Sequence, residues 1–315
     1  MPSDVELEHV VFDGGSRDDT VDILRRFKPH VTWVSEPDQG QAHAVNKGLR
    51  ATDGEIIGWL NSDDVYYPRA IAQVVDFFEN HPDVDVVYGM ADHIDIEDKP
   101  FETYPSEPWH FERLKDVCFI CQPALFFRRR ILEQFGLLDE SLMYCMDYEF
   151  WLRLAKQDVQ FAYMEEKLAG SRLYGDNKTL GARVEVHREI NDMFKKHFAY
   201  VPDRWIMNYA HAVVERELAR DQQPYRFVTR LYFESVSASR AWNGRSFSII
   251  RDTFLRWGKA FFLAKVGFGR NETLDRKTRK RPHVFLSKKF KIYNLDFDRS
   301  LPWGQYFFKQ SSVCL

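Results

Sequence analysis

Apolar positions along the first hundred residues alternate between two spacings. "LEHVVFD" (7–13), "VTWVSE" (31–36), "EIIGWLN" (55–61) and "VDVVYGMADHID" (84–95) are short, β-branched apolar runs of the kind buried strands require. Between them the spacing widens to that of helices. "VDILRRF" (21–27) follows the turn "GGSRDDT", where Ser16 or Asp18 is placed to cap it. "DQGQAHAVNKGLRAT" (38–52) gives a helix opened by glycine, with Ala42, Val45 and Leu49 on one face. "PRAIAQVVDFFENHP" (68–82) gives a third, with Pro68 in the first turn. Strands alternating with helices predict an α/β domain whose sheet is mostly parallel and flanked by helices. In such sheets ligands gather beyond the carboxyl ends of the strands, where Asp13, Glu36 and Asp63 fall.

Past residue 187 the pattern is helical. "HREINDMFKKHF", "RWIMNYAHAVVERELAR", "PYRFVTRLYFESVSASRAWNG" and "RSFSIIRDTFLRWGKAFFLAKVGFG" predict a helical C-terminal extension, dividing the chain into 1–186 and 187–315. Residues 247–268 mix bulky apolar side chains with cations. Packing on the catalytic domain or on another subunit is the favoured reading, and peripheral contact with a membrane is the alternative. The basic run "RKTRKRP" (276–282) reads as a solvated linker, with binding to anionic lipid or polymer as the minority case.

Composition narrows the partners. The chain of 315 residues is 44% hydrophobic and carries 44 basic against 47 acidic residues, a net charge of -3. That balance argues against nucleic acid. Four cysteines make no disulfide framework, and Cys118 and Cys121 in "CFIC" lack a second pair, so buried thiols are expected rather than zinc. No export signal and no unbroken apolar run of membrane-spanning length is evident, which reads as a cytoplasmic protein.

The candidate chemistry centres on "GWLNSDDVYYP" (58–68), where Asp63 and Asp64 follow a buried strand. Two adjacent hard-oxygen ligands suit Mg²⁺ or Mn²⁺, although an Asp after a strand commonly serves only as a turn former or helix cap. His43 carries no assignment, since a lone histidine is more often a satisfied surface or core residue. Arg128, Arg129 and Arg130 read as a solvated charge run.

The wider blocks distinguish these readings. From "VVFDGGSRDDT" through "VSEPDQGQAHAVNKGLRATDGEIIGWLNSDDVYYP" to "CQPALFFRRRILEQFGLLDESLMYCMDYEFWLRLA" and "LAGSRLYGDNKT", the sequence resembles the family 2 glycosyltransferases of GT-A fold, over roughly residues 8 to 180. The resemblance implies a Rossmann-like domain that takes a nucleotide-diphosphate sugar, a UDP-sugar first among them, and transfers the sugar with inversion to a saccharide or lipid-linked saccharide. Cell-surface polysaccharide or glycoconjugate synthesis is the setting it implies. It assigns Asp63 and Asp64 to a divalent cation, Mn²⁺ or Mg²⁺, on the diphosphate. Asp13 falls to the base of the nucleotide, and Asn46, Lys47, Asn61 and Lys178 to the nucleotide-sugar region. Asp139 and Glu140 open a turn facing the acceptor, with Trp151 and Arg153 nearby. Asp147 becomes the base that deprotonates the incoming hydroxyl, with Glu149 the second choice.

Two departures from the family pattern stand out. The family opens with a strand and helix ahead of the "DGGS" strand, and this chain begins at that second strand. A sheet without the first strand is expected to expose an apolar edge and to lose part of the nucleotide pocket, through a start recorded too late or through shortening with weakened or absent activity. In the last block Tyr174 stands where relatives commonly carry a histidine, and a phenol is a poor metal ligand at neutral pH. A non-catalytic, carbohydrate-binding or scaffold relative is the rival reading.

Overall fold

A computed structural model of the chain describes residues 5–28, 30–173, 181–244 and Leu255. Lys178, Tyr174 and most of the stretch after residue 244, the basic run included, lie outside the described residues. The amino-terminal half alternates as its apolar spacing requires: β1 (Val10–Asp13), α1 (Thr20–Arg26), β2 (Thr32–Ser35), α2 (Gln41–Ala51), β3 (Ile56–Gly58), β4 (Val65–Tyr66), α3 (Ala70–Asn80) and β5 (Val86–Ile94). Then come β6 (Pro100–Thr103), α4 (Phe111–Asp116), a 3₁₀ turn (Gln122–Ala124), β7 (Leu125–Arg128), α5 (Arg130–Phe135), α6 (Met146–Ala155) and β8 (Phe161–Arg172). Helices α7 (Arg183–Phe198), α8 (Asp203–Glu215) and α9 (Pro224–Asn243) follow.

The architecture is α/β, a sheet flanked by helices, but its strands are not mostly parallel. The parallel expectation holds for β1 with β2 and for the long ladder of β5 with β8. The pairs β3–β7, β5–β7, β4–β8 and β5–β6 are antiparallel, which makes the six-stranded sheet mixed. The reason is connectivity. The β5–β6 hairpin returns directly through a short turn, and β7 enters between β3 and β5 from the opposite end, options open to any strand not followed by a crossover helix.

Among the described residues, β1 and β2 form their own two-stranded sheet, unjoined to β3. No described residue from Val5 to Gln41 is fully buried, and Leu7, Ile23 and Phe27 are each about half exposed or more. Helix α2 ties this unit to the rest. Its Gly48 packs against the Phe12 ring of β1, while Ala42 and Leu49 enter the main core beside Ile57 and Trp59. Gly40, at φ 123°, starts α2 as a residue with a Cβ rarely does. Pro68 does not open α3. A turn from Tyr67 to Ala70 places Arg69 at φ 71° as the N-cap, one residue after the proline.

The main core runs from Val86 and Tyr88 through Phe119, Phe127, Tyr148, Phe150 and Trp151 into α7 and α8, with Ile190, Phe194 and Trp205. Residue 187 lies inside α7, so the helices after it share that core. No helix of the described residues is long and apolar enough to cross a membrane.

The three consecutive arginines are not a solvated run. Arg128 is buried; it donates to the carbonyls of Val84 and Phe78 at 2.9 and 2.8 Å, pairs with Glu55 at 2.7 Å and lies over the Phe78 ring. Arg129 reaches the carbonyls of Leu49 and Gly54 at 3.2 and 2.7 Å, and Arg130 pairs with Asp85 at 2.7 Å. A guanidinium has five donors in a fixed fork, so Arg128 and Arg129 satisfy carbonyls left open near the C-terminal ends of α3 and α2.

Candidate functional site

The strand β3 runs through Trp59 into the loop holding Asn61, Asp63 and Asp64, and β8 returns alongside to present Arg172. That arginine organises the acidic pair. Its backbone N–H donates to Asp64 Oδ1 at 2.9 Å and its Nε to the Asp63 carbonyl at 2.7 Å, while its remaining guanidinium nitrogens engage the Asp95 carbonyl and the Asp98 carboxylate. Asp64 is buried and Asp63 half-buried. Burial pushes the Asp64 carboxyl up to about 6; the Arg172 amide opposes this and the Asp63 charge adds to it.

Asn61 anchors the same loop. Its amide donates to Gln122 Oε1 at 2.9 Å and to Asp64 Oδ2 at 3.3 Å, and its carbonyl accepts from Gln41 at 2.7 Å. Gln122 completes the link by donating to the Trp59 carbonyl at 2.6 Å. Next in the chain before Gln122 is Cys121, a buried free thiol pushed up by its burial and then by the charges of Asp64 and Asp147.

Asp147 sits in the first turn of α6, 1% exposed. One carboxylate oxygen accepts the Tyr148 N–H at 2.7 Å and the other has no partner. Burial raises this carboxyl to about 7, and the charge of Glu189 adds to the rise. An unpartnered carboxylate oxygen, half-ionised near neutrality, is what a general base needs. Glu149 points elsewhere. It is buried in an ion pair with Arg153 at 2.9 Å, and Arg153 also donates to the Phe135 and Leu137 carbonyls at 2.5 and 2.8 Å. Trp151 is 1% exposed and packs on Trp59, ring centres 5.9 Å apart.

The remaining candidates divide. Asp13, at the end of β1, accepts from the Gly15 and Ser16 amides and from Ser35 Oγ at 2.6 Å; burial opposes, but these bonds and the Ser16 hydroxyl lower its carboxyl. Asp18 caps locally through the Thr20 amide at 3.1 Å, whereas Ser16 turns back to Asp13. Lys47 pairs with Glu36 at 2.8 Å at the neighbouring strand end. Asn46 is buried and bridges to the 138–140 loop through the Leu138 carbonyl and amide at 3.0 and 3.1 Å and Glu140 Oε1 at 2.8 Å. Asp139 accepts from Ser141 and from Lys196 at 2.9 Å. Burial opposes, yet these bonds bring its carboxyl down to about 2. A cavity of about 310 Å³ between this turn and α7 is bordered by Asp139, Ser141, Arg188, Asp192 and Lys196. His43 accepts the Gln39 amide at 3.1 Å.

Among the described residues no three His, Cys, Asp or Glu side chains come together as metal ligands. Two adjacent carboxylates nevertheless fit a hard cation that takes its other ligands from phosphate and water, the usual condition of Mg²⁺ in nucleotide sites. Burial raises Asp64 and the Asp63 charge adds to the rise, and a bound cation would offset both by favouring the ionised carboxylates. Sequence reasoning passed over Arg172 and Gln122, each within a quoted block, whereas Cys121 is the buried thiol expected. The roles of Arg172 and Gln122 depend on contacts across 61 to 109 positions.

The class of protein emerges from comparison with known sequences. Residues 4–136 match the model of glycosyl transferase family 2, so that segment is similar to the members of that family. An uncharacterized glycosyltransferase of Rickettsia prowazekii is 28% identical over 187 residues, 55% of this chain and 57% of that protein. One from Mycobacterium tuberculosis is 32% identical over 152 residues, 47% of this chain and 57% of its own length. The chain spans a little over half the length of these curated relatives. Among solved structures, Staphylococcus aureus TarS residues 1–349 in complex with UDP-GlcNAc aligns over 75% of this chain and 72% of its own, at 14% identity and a TM-score of 0.49.

Proposed function

We propose that the protein is an inverting glycosyltransferase that takes a nucleotide-diphosphate sugar as donor and a saccharide or lipid-linked saccharide as acceptor, in cytoplasmic synthesis of a cell-surface glycan. The observation that carries this reading is the acidic pair Asp63–Asp64, held in the loop after β3 by Arg172, in a chain that also keeps a buried carboxyl oxygen of Asp147 without a partner. Asp63 and Asp64 would hold Mn²⁺ or Mg²⁺, which neutralises the diphosphate of the donor. Asp13 at the end of β1, and Lys47 of α2 paired with Glu36 just beyond β2, would face the nucleotide. Asp147 takes the proton of the acceptor hydroxyl as its oxygen attacks the anomeric carbon. The bond from that carbon to the diphosphate oxygen breaks, and the nucleoside diphosphate leaves with the electron pair. Asn46 and Glu149 act as supports for the 138–140 loop and for α6, and Asp139 and Glu140 border the acceptor side.

Calorimetric titration with UDP, GDP and dTDP, with and without Mn²⁺, tests this. Metal-dependent binding in the wild type that is lost in Asp63→Ala is the expected result. A folded sample that binds none of them refutes it. That outcome would favour the second reading, a non-catalytic carbohydrate-binding subunit, which draws its support from the separate two-stranded sheet that carries Asp13.

A further inference from the structure

Helix α7 lies outside the segment matched to the family, yet its Glu189 holds the backbone just ahead of Asp147. Glu189 accepts three consecutive backbone N–H groups, from Met143 at 2.8 Å, Tyr144 at 2.7 Å and Cys145 at 2.8 Å. Cys145 is the N-cap residue of α6 and has no side-chain cap, and Asp147 follows two residues later. The first amides of a helix have no intrahelical acceptor. Of the three amides only that of Cys145 belongs to the helix end; the other two lie in the loop ahead of it, and one carboxylate more than forty positions away holds all three, in the manner of an anion seated in a nest of backbone amides.

We propose that Glu189 is a positioning residue for Asp147: by holding the amides of residues 143–145 it fixes the first turn of α6 and the direction of the carboxyl that receives the acceptor's proton. The inference rests on the reading of Asp147 as that base. It assigns a task in the reaction to the carboxyl-terminal helices, and it makes their docking a condition of turnover. Two geometric facts support it. Three consecutive amides converge on one carboxylate, so Glu189 grips the backbone that leads into α6 even where the chain is exposed at Met143. The Asp147 carboxyl accepts the Tyr148 N–H of its own helix and its other oxygen has no partner, so its direction follows the backbone of the first turn of α6. The groups facing Asp147 are Tyr104, Cys121, Cys145 and Glu189. Burial raises the first three well above their ordinary range and so keeps them neutral, and Glu189 brings negative charge to bear.

The test uses the full chain. In the wild type, hydrogen exchange of the Met143, Tyr144 and Cys145 amides is expected to be slow despite the exposure of Met143; exchange at the rate of an open loop overturns the proposal. In Glu189→Gln, the protonation midpoint of Asp147, followed as the infrared carboxyl band that Asp147→Asn removes, is expected to fall by roughly half a pH unit or more. Glu185→Gln, one turn earlier on α7 and paired with Arg216, removes the same charge without touching the loop and is expected to leave the midpoint in place. A midpoint unmoved by Glu189→Gln, or moved equally by Glu185→Gln, overturns the assignment. Turnover of a UDP-sugar to UDP is expected to lose kcat at unchanged donor KM in Glu189→Gln. If the wild type turns over no donor at all, the glycosyltransferase reading fails, while the exchange and infrared results still decide whether Glu189 positions Asp147.

Discussion

Replacing Asp147 with asparagine should stabilise the protein above neutral pH and abolish transfer. The carboxyl titrates at about 7 in the fold against 3.8 for the free side chain, because it is fully buried. A group whose pKa is raised on folding contributes stability below its unfolded pKa, and that contribution is lost as pH rises through the folded value. At pH 8 the ionised side chain costs about 4 kcal/mol, and at pH 5, where only the unfolded chain has released its proton, about 2 kcal/mol. Asparagine keeps an acceptor for the Tyr148 N–H and carries no charge at either pH. Its NH₂ group inherits the site of the unpartnered oxygen, a cost of about 1–3 kcal/mol that does not vary with pH. The variant should therefore gain roughly 2–3 kcal/mol on the wild type between pH 5 and pH 8. Urea unfolding of both proteins at the two pH values measures this double difference, in which Asp64, raised to about 6 in both, cancels. Parallel pH dependence in the two proteins would refute the burial argument, and with it the case for Asp147 as a base tuned to neutrality. Donor binding should be unchanged in the variant if, as proposed, Asp147 acts on the acceptor.

Arg172→Ala should lose about 2–4 kcal/mol of stability, because it leaves the Asp63 and Asp95 carbonyls without their donor, and it should weaken Mn²⁺-dependent UDP binding in the same calorimetric assay. Arg128→Met should cost about 3–5 kcal/mol in urea unfolding, since two buried carbonyls lose their partner, whereas Arg25→Ala on exposed α1 should stay within about 0.5 kcal/mol.

Most elements before residue 95, the short β4 excepted, were legible because their apolar spacing is local: Ala42 and Leu49 mark the buried face of α2, and the strand from Val86 to Ile94 opens on the apolar run Val86 to Tyr88. Strand direction was not legible, since β7 carries no sign in "LFFR" that it will pair antiparallel to both β3 and β5. The acidic pair and Asp147 were found through their blocks, but the work of their supports was not. Arg128 illustrates why: three adjacent cations look alike on paper, and only the open carbonyls of α3 reveal which of them is buried. Asn46 illustrates the converse. It lies in the expected helix, but its amide is spent on the 138–140 loop. Glu189 had no local signal at all, because its partners lie 44 to 46 positions away.

The two-stranded unit of β1, α1 and β2 bears on how binding would be felt. With no fully buried residue of its own, it has little to lose by opening, and its amides should exchange through local fluctuations far below the free energy of global unfolding. Asp13 stands at its edge. A ligand that engages Asp13 must first quiet this part of the chain, so the affinity it shows is its contact energy less the cost of that ordering. The heat of nucleotide binding should accordingly outrun its free energy, with an entropic debt confined to the first forty residues.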